Sequence, residues 1–148
     1  MKTRIWSIFL IFSILAGSQL AMAEEKAEEV ILKGYFFERP DNTYLHVEMV
    51  GVFMVFKLLD ENHQEIENVF TRGIMTVNPR GKTKERMAIR PSGDGKSLKS
   101  VRTIRKPHIL KVNVRLYKGE DDDSSETFNI LYNQHTVDEV AVVPEKEK

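Results

Sequence analysis

One of the four histidines in this chain, His46, has a neighbour at a spacing that favours metal chemistry. His46 and Glu48 are two residues apart in a segment where apolar and polar residues alternate. Alternate residues of a β-strand project to the same side of a sheet, so this imidazole and this carboxylate are expected to project together. Such a pair binds Zn²⁺ or Cu²⁺ when a neighbouring strand supplies a third ligand, for which His108 and His63 are candidates. The sequence therefore predicts a Cu or Zn site of His46, Glu48 and His108.

A second interpretation of the same residues involves no metal. Met49 would favour Cu(I), but it alternates to the face opposite His46. Methionines at alternating positions are typical core residues, and histidines outside a complete ligand set are usually solvated. The acidic run at 121–126 lacks the ligand order of a calcium loop, so we expect a solvated hairpin loop there.

Charge is distributed unevenly along the chain. Residues 24–79 hold 5 basic and 11 acidic side chains, residues 80–118 hold 13 and 2, and residues 119–148 hold 2 and 9. A basic central part favours an anionic partner such as lipid head groups, a polyanionic sugar or an acidic protein face. The alternative is that these cations occupy the solvent faces of strands. The predicted anion-binding residues are Arg80, Lys82, Lys84, Arg86, Arg105 and Lys106.

The N-terminus has the pattern of a secretory signal peptide. Lys2 and Arg4 precede an apolar run, and Ala21 and Ala23 are small residues at the two positions that signal peptidase reads. The run is shorter than the roughly 20 residues that a membrane-spanning helix needs. We therefore expect residues 1–23 to be cleaved, leaving a periplasmic or secreted protein with no transmembrane span. Export argues against a nucleic-acid partner.

Alternation with a period of two is the dominant pattern of the remaining chain. It predicts strands near 30–36, 45–49, 52–58, 69–78, 86–90, 110–117 and 128–132, with a short edge strand near 98–101. The chain has no cysteine and therefore no disulfide. These features predict an all-β fold, specifically an antiparallel immunoglobulin-like two-sheet sandwich of about seven to eight strands. We place this domain at 24–132, followed by a flexible tail at 133–148, in which 140–143 is an alternative edge strand.

Motifs of common catalytic sites are missing from the sequence. It contains no G-x-S-x-G, no H-E-x-x-H, no phosphate-binding loop and no dinucleotide fingerprint. We therefore expect a non-catalytic protein.

One short motif resembles a known group of proteins. The segments His46-Val47-Glu48 and Val55–Asp60, followed by Ile66, resemble a pattern of small exported immunoglobulin-like domains, some of which accompany periplasmic metal-efflux systems. The likeness extends at most over residues 44–118, and the His- and Met-rich segments of dedicated copper carriers are missing. It implies an accessory role beside an envelope or efflux-complex protein.

The sequence thus favours a non-catalytic periplasmic binding or accessory module that acts through loops or an exposed sheet face. Two alternatives stay open. The first is a metal-binding accessory protein of an efflux or homeostasis system, and the second is an envelope protein that binds anionic lipid or polymer through a basic face.

Overall fold

The computed structural model describes residues 30–79, 83–119 and 125–142. These ranges form ten β-strands and no helix. None of them forms a helix long and apolar enough to span a bilayer. The strands are β1 (Val30–Glu38), β2 (Tyr44–Val50), β3 (Phe53–Leu59), β4 (Glu65–Ile66), β5 (Arg72–Pro79), β6 (Glu85–Pro91), β7 (Ser97–Ser100), β8 (Ile109–Tyr117), β9 (Ser125–Asn133) and β10 (Asp138–Val142).

All strand pairs are antiparallel, and one continuous path of hydrogen bonding joins them. The order is β10-β1-β2-β3-β7-β6-β5-β8-β9, with β4 beside β3. The sheet curls into a half-barrel, so its concave side encloses the core. The predicted all-β, antiparallel fold is confirmed. The immunoglobulin-like division into two sheets is not confirmed, because pairing runs unbroken from β10 to β9.

Residues at alternate positions fill the core, as the sequence pattern predicts. In β8 the even-numbered side chains from Leu110 to Leu116 are buried, whereas Lys111, Asn113 and Arg115 are exposed. Burial of a large aliphatic side chain stabilises a fold by about 1.5–3 kcal/mol, so each inward position favours this register. Phe70 and Ile104 are also buried, although they lie between strands.

Strand β1 divides its pairing at Gly34. Residues Val30–Gly34 pair with β10, whereas Tyr35–Glu38 pair with β2. A Cβ atom at Gly34 would lie 2.5 Å from the carbonyl oxygen of Val47 and 2.6 Å from Nε2 of His46. Only a residue without a side chain fits at this crossing point.

Side chains of β1 also contact β9, at the other end of the sheet, and so close the curl. The rings of Tyr35 and Tyr132 lie 5.3 Å apart. The hydroxyl of Tyr35 accepts a hydrogen bond from the backbone N–H of Asn133 (3.0 Å) and lies 3.3 Å from its carbonyl oxygen. Further along, Arg39 donates two hydrogen bonds of 2.8 Å to Glu126. We call this line of contacts the β1–β9 seam.

Arg39 provides the positive charge of the seam, and its side chain is only 1% exposed. Its guanidinium also lies 5.1 Å from the centre of the Phe70 ring. The hydrogen bonds from Arg39 hold the pKa of Glu126 below its usual range. Nothing in the sequence pattern distinguishes this buried arginine from the exposed ones.

The sequence predicted a signal peptide at the N-terminus and a flexible tail at the C-terminus, and the structure describes only part of these two segments. The predicted signal peptide at 1–23 lies outside the described residues. The range assigned to a flexible tail contains β10, which pairs with β1 over five residue pairs and agrees with the alternative of an edge strand near 140–143.

Replacing Gly34 by alanine is expected to destabilise the fold by about 1–3 kcal/mol, because the added methyl overlaps Val47 and His46. Urea unfolding of Gly34→Ala measures this loss. Gly93→Ala is the matched control, since nothing lies within 4 Å of a Cβ there. Equal shifts in the two variants would show that the close approach is not real.

Removing the charge of Arg39 is expected to cost about 2 kcal/mol, because Glu126 loses its buried partner and keeps only the more exposed Lys118, 2.7 Å away. The comparison is Arg39→Gln against Lys33→Gln, measured by chemical unfolding. Lys33 also pairs with a carboxylate, Glu139, but both of these side chains are more than half exposed. The control should therefore lose less than about 1 kcal/mol.

Candidate functional site

His46, the first predicted metal ligand, is fully buried rather than solvated. It lies on the convex side of β2, opposite the core residues Leu45 and Val47, which is the face that the alternation predicted. The ring of Phe36, its register partner on β1, stacks on the imidazole with ring centres 4.8 Å apart. Coverage by β1 therefore removes His46 from solvent.

A hydrogen bond from one ring nitrogen of His46 identifies the nitrogen that carries the proton. Nε2 lies 3.2 Å from the carbonyl oxygen of Lys33 and donates to it. Nδ1 is then the basic nitrogen, and it is buried with no hydrogen-bond partner among the described residues. Burial lowers the pKa of His46, against the opposing effect of Glu48. A neutral imidazole in this position donates to the Lys33 carbonyl, next to the point where β1 changes its partner from β10 to β2.

Glu48 and His108, the other two predicted ligands, line a different space. Both face an open cleft of about 600 Å³, which His46 does not line. His108 is buried, and its Nε2 donates to the carbonyl oxygen of Ile104 at 3.0 Å. The alternative ligand, His63, stacks on Tyr44 with ring centres 4.9 Å apart.

No group of three or more His, Asp or Glu side chains in the described ranges is arranged to hold a metal ion. The structure therefore does not bring His46, Glu48 and His108 together as a ligand set. The sequence prediction rested on the shared strand face, which is correct. The sequence does not show that β1 covers the face of β2 on which His46 lies.

The cleft itself results from the course of β1. N-terminal to Gly34 this strand pairs with β10 and not with β2, so Ile31–Lys33 and Glu48–Met49 face the same opening. Tyr132 lines the inner end, and burial raises the pKa of its hydroxyl. The lining mixes apolar, acidic and basic side chains, so it favours no single ligand class.

A more uniform surface lies on the convex side of β5 to β9. Register places outward side chains in rows across these strands, such as Arg86, Thr76, Asn113 and Asn129. We call the outward side chains of these five strands the cationic face. Its basic members are Arg72, Arg86, Arg90, Lys99, Lys111 and Arg115.

No Asp or Glu projects from the outward positions of these five strands within the described ranges. Arg86, Arg90, Lys111 and Arg115 form no ion pair with any described carboxylate. Glu85 and Glu126, which belong to the same strands, have the opposite, inward parity. The charges of these four residues are therefore not neutralised by any described carboxylate.

The face also contains a shallow groove of about 390 Å³ across β5, β8 and β9. Lys84 and Lys111 lie at this groove with the amides of Asn78, Asn113 and Asn129. Asn113 donates a hydrogen bond of 2.8 Å to the side chain of Asn129. Cations beside amides can bind both the charged groups and the hydroxyls of a ligand.

The six residues predicted to bind anions are not all on this face. Arg86 belongs to it, and Lys84 immediately precedes β6. Arg105 and Lys106 lie instead in the segment between β7 and β8, while Arg80 and Lys82 lie outside the described residues. Lys111 and Arg115 were missed, although the alternation in β8 already placed both side chains in solvent. The sequence does not show the cross-strand register, which places Lys111 and Arg115 on the same face of the sheet as Arg86.

Comparisons with known proteins identify no relative. No family model, no curated protein and no solved structure matches this chain.

Buried, neutral His46 is expected to make stability depend on pH. Its folded-state pKa lies below the unfolded value of 6.5, so above pH 6.5 its full contribution is present. As the pH falls below 6.5 the unfolded chain takes up the proton first, and stability declines until the folded-state pKa is reached. Urea midpoints between pH 8 and 5 should fall less steeply for His46→Gln than for the native chain.

The control for this measurement is His135→Gln, because His135 is exposed. The carboxylates and the ammonium near His46, namely Glu48, Glu65 and Lys57, are retained in both variants. Parallel pH profiles for the native chain and His46→Gln would contradict the assignment of a buried neutral imidazole.

Proposed function

We propose that this protein is a non-catalytic binding module that binds a linear anionic polymer through the cationic face. The observation that supports the proposal is a set of outward cations on four adjacent strands, β5 to β8, without an acidic side chain among them. Opposing charge attracts a polyanion and concentrates it at such a surface. The proposal includes export of the protein to the periplasm or to the outside of the cell. It also includes a role of the sheet as a rigid support for the binding face, as in immunoglobulin-like domains.

The extent of the face favours a polymer over a small anion. Neighbouring strands are about 4.8 Å apart, so the four strands that carry cations spread these charges over roughly 14 Å. A single carboxylate or phosphate can contact only part of that width. A chain that carries an anion on each repeating unit can contact several cations at once.

The composition of the face favours a polymer over a membrane. Its outward positions hold threonine and asparagine side chains between the cations, and these can bind sugar hydroxyls. Its exposed large apolar side chains are Leu131 and Ile109, both near one end. Insertion into a bilayer requires a broader apolar surface than these two residues provide.

Binding to polygalacturonate and dextran sulfate tests the proposal, with neutral dextran as the uncharged probe. We expect saturable binding to both polyanions and none to dextran. The affinity should fall at least about tenfold between 50 and 300 mM salt, because screening weakens contacts between exposed charges. Isothermal titration calorimetry on the purified protein gives both quantities.

Variants then locate the site. Arg86→Gln combined with Lys111→Gln should weaken polyanion binding at least about fivefold, because two contacts on adjacent rows are lost. Lys33→Gln combined with Lys96→Gln removes the same charge elsewhere on the surface and should have little effect. Equal losses in the two double variants would contradict a defined face. Tighter binding to anionic vesicles than to either polymer would overturn the assignment to a polymer.

A further inference from the structure

A cavity of about 490 Å³ lies between the inward side of β5 and β6 and the segment that joins β7 to β8, on the side opposite to the cationic face. Its floor consists of the buried apolar side chains of Val77, Met87 and Ile104. Its rim carries the side chains of Arg102 and Arg105, with Thr103 between them in the chain. The volume lies in the range of about 300–1,000 Å³ typical of small-molecule sites.

The segment that carries the rim is held in place from several sides. The backbone N–H of Val101 donates to the carbonyl oxygen of Ala88, and that of Ile104 donates to Val52, at 3.0 and 2.7 Å. The buried ring of His108 bonds back to the carbonyl oxygen of Ile104. The two arginines are therefore presented by an ordered segment.

Both arginines of the rim are available for a ligand. Neither Arg102 nor Arg105 forms an ion pair or a cation–π contact within the described ranges, and both residues are exposed. A guanidinium recognises a carboxylate through paired hydrogen bonds of fixed geometry. Two of them beside one cavity favour an anionic head group.

We propose that this cavity binds a small amphipathic carboxylate. Its head group pairs with Arg102 and Arg105, and its apolar body lies against the floor of Val77, Met87 and Ile104. Neither half of the site is sufficient alone, since the floor provides no charge and the rim provides no apolar contact.

Glu85 narrows the class of ligand further. This carboxylate also lines the cavity and forms no ion pair with either arginine in the described chain. It repels a second negative charge, so a monoanion fits better than a phosphate or a polyanion. The cavity is thus distinct in ligand class from the cationic face, which has no acidic side chain.

The methyl group of Met87 provides a direct measurement. In protein labelled with ¹³C at the methionine methyls, titration with hexanoate should shift the Met87 signal saturably. Met54 on β3 is buried in the core and does not line the cavity, so its signal should stay in place. Hexan-1-ol, which has the same apolar body without the charge, should bind at least about tenfold more weakly, because its neutral hydroxyl cannot form a bidentate ion pair with an arginine.

Arg102→Gln combined with Arg105→Gln should weaken hexanoate binding at least about tenfold. Both side chains are exposed, and an unchanged Met54 signal verifies that the variant is folded. Arg86→Gln combined with Lys111→Gln, on the cationic face, should leave hexanoate binding unchanged, so this test is independent of polymer binding.

Three outcomes would overturn the proposal. They are the absence of a Met87 shift at millimolar hexanoate, equal binding of hexanoate and hexan-1-ol, and stronger binding of inorganic phosphate than of hexanoate. Uniform shifts of all the methionine methyls would identify non-specific association and overturn it as well.

Discussion

The fold depends on how β1 distributes its contacts. Its first half pairs with β10, its second half pairs with β2, and its inward side chains meet β9 across the seam. One strand thus connects both ends of a curled sheet. Gly34 permits this division, because the backbone of β2 and the ring of His46 lie where a side chain would project. The cleft and the burial of His46 follow from the same division.

Sequence reasoning recovered the strands because alternation is a local property of the chain. The even-numbered residues of β8 and the core side chains of β3 are buried where the period of two predicted. The curl of the sheet could not be predicted in the same way. It depends on contacts such as that between Arg39 and Glu126, which are 87 residues apart and leave no periodic pattern.

The candidate sites also depend on contacts between distant parts of the chain, which the sequence pattern does not reveal. His46 and Glu48 do share one strand face, but the sequence could not indicate that Phe36 would cover the imidazole. The basic central third was visible as composition, yet its residues divide between two surfaces. Arg86 and Lys111 belong to the cationic face, whereas Arg105 belongs to the rim of the cavity. Position along the chain cannot separate these two groups, because cross-strand register assigns them.

The hydroxyl of Tyr35 has a consequence for how the protein behaves in a crowded compartment. It contacts both the N–H and the C=O of Asn133 at the last residue of β9, which is a terminal strand of the sheet. Open edges recruit strands from other molecules, which is a common route to aggregation. A side chain that occupies these backbone groups blocks one end of the edge without adding a further strand. The same tyrosine that closes the curl thereby discourages self-association at high concentration.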